Sequence, residues 1–551
     1  MGLARDYSFT SRSRGTLRLK ASKPPLFLVA IASITAIVIV LPLTYLVIRT
    51  AGVGTEKLID LVSRPRTLTV LLNSAGMAAL VTLCSALIAV PLAFLTLQTD
   101  LPWRKFWLVA TTLPLAVPSY VGSFALIAAF GPTGSLLQLG LEPLGVTQLP
   151  EIYGWFGTVL ALTLFTYPYL LLSVRGGLML IDPATVEASR SLGLNQINTF
   201  FRVLLPQLRP SLVAGGLLVA LYALRDFGTP SLMRFDVFTR VIFLQYKSSF
   251  NRNQAAALAL LLVALVLGIL WLEYKVRSRG AYYTRNSAIV RPPVIVKLGA
   301  SKVIALLFCA IVVSLSLVLP VGVTVFWWWR GWTSGDGAYG TASLRAIAQP
   351  ALNSIAASSL TAVLATICAL PVTILAVRFP SRITTAIERC SYIGFGLPGI
   401  VVAISLVFLG SQYLPWLYQT LPMLVFAYLV LFLPQSVGTI RSSLLQLHPQ
   451  LEESARLLGR TPWQTLKEIT FPLVRPGVLN GAVLVFLTAI KELPATLLLA
   501  PIGFDTLATE IWKATENVAF SDAAVGSLAM LIVSMGSTLP VLLHEQKTSQ
   551  R

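Results

Sequence analysis

The sequence predicts an all-α polytopic membrane protein with about 12 transmembrane helices, arranged as two parallel six-helix repeats, and three observations lead to that class. Hydrophobic residues fill 56% of the 551 positions and charged residues 12%, with a mean hydropathy of +0.78, too apolar for a water-facing surface around one soluble core. Twelve apolar runs, most of them near the roughly 20 residues needed to cross hydrocarbon, are separated by polar gaps. The two halves also repeat one another. Asn73-Ser74 through Pro91 returns as Asn353-Ser354 through Pro371, Pro118 as Pro398, and the segment 182–210 as 448–476.

Residues 1–25 form a basic tail, cationic from Arg5 to Lys23. The run at 26–48 is over-long for a signal peptide and has no obvious small-residue cleavage site after it, so it reads as an uncleaved first span. The first repeat, 26–272, continues through runs near 68–97, 106–130, 154–174, 211–224 and 254–272. The second, 302–543, has runs near 302–326, 351–377, 389–410, 417–440, 477–490 and 522–543. The runs at 211 and 477 are short and are expected to continue into the polar residues that follow them. Equivalent residues are offset by 280 early in the repeat and by 266 later, which places a deletion of 14 residues in the second half, opposite the longer loop from Gly131 to Tyr153. Between the repeats, 273–301 is polar and basic with Pro292-Pro293, the character of a cytoplasmic tether and nothing more elaborate, and 544–551 is a C-terminal tail. An even number of spans per repeat puts equivalent loops on one face, so the repeats are related by an axis along the membrane normal, and a substrate path would lie on it. Pro91 and Pro371, within spans, fit plain packing better than gating kinks.

The net charge of +20 does not indicate nucleic acid, because the cations gather in alternate loops instead of one stripe. With the N-terminus inside, the basic tail and the linker put most of the Lys and Arg on the inner side, and both termini are cytoplasmic. The expected location is the bacterial inner membrane. Cys84, Cys309, Cys368 and Cys390 lie in or beside apolar runs without a Cys-x-x-Cys pair, and the only histidines are His448 and His544. Neither a disulfide framework nor a thiolate or histidine metal centre is indicated. The Trp327-Trp328-Trp329 and Trp332 cluster reads as an interfacial anchor at the outer boundary.

The polar gap after span four carries the most information. Asp182-Pro183 has the form of a helix start, a capping side chain followed by the position where the missing proline N–H costs nothing. The helix should run to about Leu192 and stop at Gly193, with Glu187 and Arg190 spaced to meet on its exposed face. His448-Pro449 through Gly459 repeats this, with Glu453 and Arg456. A second short helix should follow each glycine before Pro206 and Pro472 bend or end it. Two copies with one internal spacing are poorly explained as self-solvating connectors.

The pattern Glu187-Ala188-Ser189-x-x-x-Gly193, then nine residues to Val203-x-Leu205-Pro206, and its copy Glu453-Ser454-Ala455-x-x-x-Gly459 with Ile469-x-Phe471-Pro472, resembles the EAA loop of binding-protein-dependent ABC importer permeases. Ser189 and Ser454 depart from the motif but are small. The resemblance implies a type I importer permease (MetI-like) fold, fused so that one chain carries both halves. It implies that each loop inserts a coupling helix into a cytoplasmic ABC ATPase, so that two copies of the ATPase bind, with a periplasmic substrate-binding protein on the other side. Fused permeases of this length are most similar to the iron(III) importers and also resemble the thiamine permeases. ATP and Mg would be used by the partner ATPase. This chain has no Gly-x-x-x-x-Gly-Lys-Ser/Thr cradle and no plausible catalytic constellation, and it is expected to bind no cofactor of its own.

About 14 residues into span five lie Arg225-Asp226, and at the equivalent place in span eleven Lys491-Glu492. Charges at that depth are costly unless paired or facing water. One reading has each acid neutralise a neighbouring base while Pro230 and Pro494 end the helix. The other has Asp226 and Glu492 face the axis and offer hard oxygen ligands to a hard cation in transit. Iron(III) is the first-choice substrate, and thiamine or another small organic or anionic solute is the alternative. A secondary transporter driven by an ion gradient leaves the duplicated loops unexplained, and a structural membrane protein predicts no duplication.

Overall fold

The computed structural model describes residues 24–52, 54–248, 252–279, 295–334 and 343–548. Inside hydrocarbon every backbone N–H and C=O must be satisfied within its own segment, and the apolar runs accordingly fold as helices. Among the described residues ten are long and apolar enough to cross a membrane: Leu26–Ala51, Pro65–Gln98, Trp155–Met179, Gln196–Arg225, Asn253–Leu272, Gly299–Thr333, Ile347–Arg378, Leu421–Gln446, Trp463–Ala489 and Phe520–Leu539. The remaining two expected spans, the third and the ninth, are broken pairs, Arg104–Ala116 with Ser119–Phe130 and Arg382–Gly396 with Gly399–Tyr413, bent by 97° and 107°. Each break falls at the paired prolines Pro118 and Pro398. The residue before each is extended, Val117 at φ −76°, ψ 119° and Leu397 at φ −87°, ψ 128°, because proline disfavours a helical predecessor.

The short runs at 211 and 477 grow in the direction opposite to the one expected. Spans five and eleven extend backward through the polar loop, starting at Gln196 and Trp463, and Pro206 and Pro472 neither end nor stop them. A π-turn absorbs each proline: Phe200–Leu204 precedes Leu205-Pro206, and Leu466–Thr470 precedes Phe471-Pro472. Ser314–Val318 does the same before Leu319-Pro320. An α-helix would set the proline ring against the carbonyl four residues back, and one inserted residue relieves that clash without breaking the helix.

The first span of each repeat packs on the other repeat. Arg49 donates to Gln412 Oε1 at 2.9 Å, and Tyr45 stacks edge-on against Tyr413. In return, Trp327 of span seven is buried, donates to Ala128 O at 3.3 Å and packs on Phe520. Interfacial anchoring therefore suits the exposed Trp329 and Trp332 but not Trp327. The longer first-half loop includes a small helix, Leu136–Leu141, with no counterpart in the shorter second-half connection at 414–420. The linker's visible end is more than a tether. Val296 forms a parallel bridge with Thr99, Leu298 N–H donates to Asp100 at 2.8 Å, and Lys302 pairs with Asp100 at 2.8 Å. The Lys302 ammonium and the Leu298 N–H hold the Asp100 carboxyl below the usual carboxylate range, so this tie is present at neutral pH and is lost as pH falls through that lowered value.

Spans four and five touch through a glycine and a serine, and the two halves use them in opposite order. A Cβ on Gly177 would collide with Ser211 Oγ, and a Cβ on Gly477 would collide with Ser443 Oγ. Small residues let helices approach closely in a membrane, and either arrangement leaves room for one side chain only. Gly477→Ser alone should therefore overpack the contact and cost about 1–3 kcal/mol. Adding Ser443→Gly should restore the melting temperature in detergent, since the first half already has that arrangement. A double variant no more stable than the single would contradict the pairing.

Candidate functional site

The two duplicated loops fold alike. Helix Pro183–Ser191 starts at Asp182, whose side chain accepts the Ala184 N–H at 2.9 Å, whereas Pro449–Leu457 starts at His448 without a side-chain cap. Both end in the same motif. Gly193 N–H donates to Arg190 O at 2.9 Å and Leu194 N–H to Ser189 O at 3.1 Å, with Gly193 at φ +84°. Gly459 N–H donates to Arg456 O at 3.0 Å and Arg460 N–H to Ala455 O at 3.1 Å, with Gly459 at φ +85°. The left-handed conformation at that residue lets the chain reverse and satisfy the last carbonyls.

The motif positions divide between two faces. Ser189 and Ala455 are buried, Ser189 Oγ donating to Val186 O at 2.8 Å. Glu187, Ala188, Glu453 and Ser454 are exposed, and among the described residues neither Glu187 with Arg190 nor Glu453 with Arg456 forms the expected ion pair. Beside them stand Leu192 and Leu458, 85% and 84% exposed, and the equivalent Ile197 and Trp463. Apolar side chains in that state, twice at one offset, give each loop a matching exposed apolar patch. Sequence reasoning passed over these four, although their equivalence at the 266 offset was visible.

What fastens each loop to the bundle differs. In the second half Glu452 pairs with Arg378 at 3.0 Å, both 13% exposed, and accepts from Thr470 Oγ1 at 3.0 Å. Arg441 pairs with Glu388 at 2.7 Å. The first-half equivalents are Gln98, Val186, Leu204 and, for Arg441, the buried Arg175, which donates to Leu108 O at 3.1 Å and to the hydroxyls of Thr96, Thr111 and Thr112.

The four charged residues of spans five and eleven come together around a cavity of about 230 Å³ between the halves, lined also by Ser119, Tyr169, Tyr222, Gln435 and Thr488. No ion pair joins Asp226 to Arg225 or Glu492 to Lys491, so the expected neutralisation by a neighbouring base is not found. Helix ends serve instead. Arg225 Nη1 donates at 2.6 Å to Phe395 O, in the last turn before the Pro398 break of the other half. Lys491 Nζ donates at 2.9 Å to Ala116 O, in the last turn before the Pro118 break. Unpaired carbonyls at a helix C-terminus carry partial negative charge and welcome a cation. Each acid in turn meets N–H groups and the start of a helix. Asp226 accepts from Thr229 N–H at 2.8 Å and from Ser119 Oγ, the first residue after its own half's break. Glu492 accepts from Ala495 N–H at 3.3 Å and lies over Gly399, where a Cβ would strike its carboxylate. Ser119 with the shorter Asp226 thus occupies the space that Gly399 gives to the longer Glu492. The prolines do not end the helix as expected: Pro230 lies inside the short helix Gly228–Leu232, and Pro494 starts Pro494–Leu499.

The repeated Asn-Ser pair braces this region. Asn73 Nδ2 donates to Asp236 O at 3.0 Å and Asn353 Nδ2 to Asp505 O at 2.9 Å, while Ser74 and Ser354 accept Phe238 and Leu507 N–H at 3.0 and 2.9 Å. Among the described residues no group of three or more His, Cys, Asp or Glu side chains could hold a metal ion.

Comparison with known proteins places this architecture. The family of binding-protein-dependent transport system inner membrane components matches twice, over residues 89–279 and 362–544, and both matches contain a duplicated loop and a charged pair. The chain belongs to that family. It is a fused, two-domain ABC importer permease of the inner membrane, and the gradient-driven and purely structural readings fall away. It is similar along its length to the Fe(3+)-transport system permease protein FbpB 2 of Haemophilus influenzae, 32% identical over 95% of this chain and 98% of the relative. The ferric transport system permease protein of Actinobacillus pleuropneumoniae is 22% identical over 88% of this chain and 72% of its own length. The sulfate transport system permease protein CysT of Salmonella typhimurium is 24% identical over 44% of this chain but 88% of its own length, so one repeat here corresponds to a whole permease there.

Proposed function

We propose that this permease takes up iron(III) delivered by a periplasmic binding protein, driven by two copies of a cytoplasmic ATPase. Each copy docks on one coupling helix, through Glu187, Ala188 and Leu192 in the first half and Glu453, Ser454 and Leu458 in the second. Gly193 and Gly459 set the geometry, and Ser189, Ala455, Pro206 and Pro472 seat each loop on its span. Both termini lie in the cytoplasm, with the coupling helices. Nucleotide binding by the partners, which hold the ATP and Mg, shifts the equilibrium between inward- and outward-open halves. The path crosses the cavity bounded by Arg225, Asp226, Lys491 and Glu492, where two carboxylates offer hard oxygens and, among the described residues, no cluster of three or more ligand side chains would trap the ion.

The observation that carries this reading is the end-to-end similarity to an iron(III) permease together with an acid in each half at the cavity wall. A small organic or anionic solute such as thiamine or sulfate is the second reading, favoured by the two cations there and by the sulfate permease similarity. Uptake of labelled iron, thiamine and sulfate by cells with and without the gene, with the binding protein co-expressed, separates them. Gene-dependent iron uptake alone is expected, and gene-dependent uptake of another solute without iron would overturn the iron reading.

A further inference from the structure

The cavity lies on the pseudo-twofold axis, yet its two walls differ. Tyr169 and Tyr222 of the first half occupy the places that Gln435 and Thr488 hold in the second, at the 266 offset. The tyrosine rings stack with centroids 4.1 Å apart and planes 29° from parallel. The two phenols lie within hydrogen-bonding reach of one another, and across the axis Thr488 Oγ1 donates to Gln435 Oε1 at 2.9 Å, so each wall is a pair that ties two neighbouring spans. Most of the other polar groups are already committed to the scaffold. Arg225 and Lys491 each hold a carbonyl of the opposite half, Asp226 accepts with both oxygens, and Glu492 accepts with one. Even with one hydrogen bond between them, the two phenols keep one O–H and further oxygen lone pairs that no bond to the scaffold uses.

Resting on the iron(III) reading above, we propose that Tyr169 and Tyr222 form the specificity-determining wall of the pathway, contacting a hydrated hard cation, while Gln435 and Thr488 serve as scaffold. An ion carrying about six waters, at roughly 30 Å³ each, fits the cavity of about 230 Å³. Water bound to a small, highly charged ion is a strong hydrogen-bond donor, and the phenol oxygens accept from it beside the negative charge that Asp226 and Glu492 supply. The ring faces add attraction for positive charge. No bond forms or breaks in this contact, so the ion leaves as it entered.

The test uses the full permease with its ATPase and binding protein in proteoliposomes. Tyr169→Phe with Tyr222→Phe keeps the stacked rings and removes both oxygens. Labelled iron uptake should fall at least about tenfold, while ATP hydrolysis stimulated by the binding protein stays within about twofold of wild type. Gln435→Ala with Thr488→Ala should retain uptake within about threefold. Uptake unchanged in the Phe pair, or lost equally in the Ala pair, overturns the proposal, as does loss of stimulated hydrolysis in step with uptake in the Phe singles. Wild-type protein that carries no iron would sink the iron reading itself, a result separate from all of these.

Discussion

Gly193→Val or Gly459→Val should cut import by roughly five- to thirtyfold, and the two together should abolish it. Both glycines sit at φ near +84°, where a side chain costs about 1–2 kcal/mol and a β-branched one is a gross outlier. That energy corresponds to a factor of about 5–30 in the population holding the loop geometry. The cause is the backbone alone, because a Cβ at either position meets nothing within 4 Å. Asparagine, which tolerates the left-handed region, should therefore retain most of the activity at the same sites. Binding-protein-stimulated ATP hydrolysis in proteoliposomes reads the effect, since a distorted coupling helix loses the link between the two faces of the membrane. Valine variants that import like wild type would remove the coupling helices from the account.

Asp226→Asn combined with Glu492→Gln should reduce iron uptake at least about a hundredfold while ATPase assembly survives. The substitutions separate two jobs that the structure places on the same carboxylates. As caps, the side chains need only an acceptor for the Thr229 and Ala495 N–H groups, which the amide oxygen of Asn or Gln supplies. As part of a cation path they need the charge, which the amides lack. Uptake near the wild-type level would leave Asp226 and Glu492 with the capping role alone and move the path's selectivity elsewhere in the cavity.

Much of this was legible in the sequence because duplication leaves a numerical trace. The 266 offset located both short helices of the duplicated loops, their proline starts and their glycine ends, each of which depends on a few adjacent residues. It also paired Arg225-Asp226 with Lys491-Glu492. What those charges touch was not legible, because the cations meet carbonyls freed at helix breaks in the opposite half and the acids meet N–H groups at helix starts, and no residue type announces a free backbone group. For the same reason the break at Pro118 and Pro398 read as part of a straight span. The π-turns before Pro206 and Pro472 were missed because proline is usually read as a stop, although the neighbouring polar residues were helical all along. The cavity walls offered a signal that went unused: Tyr222 and Thr488 lie one helical turn before the charged pairs, at the same offset. Exchange of the first spans between repeats left no such trace, since an apolar face does not specify which apolar neighbour covers it.

If one polypeptide carries both ATPase-docking helices at the inner face of the membrane, each permease chain binds two ATPase subunits. Native mass spectrometry of the permease purified with its ATPase in detergent, without crosslinking, measures this most directly. Two ATPase subunits per chain are expected, falling to one when Gly193→Val or Gly459→Val is introduced singly. A wild-type complex holding one subunit or none would contradict it.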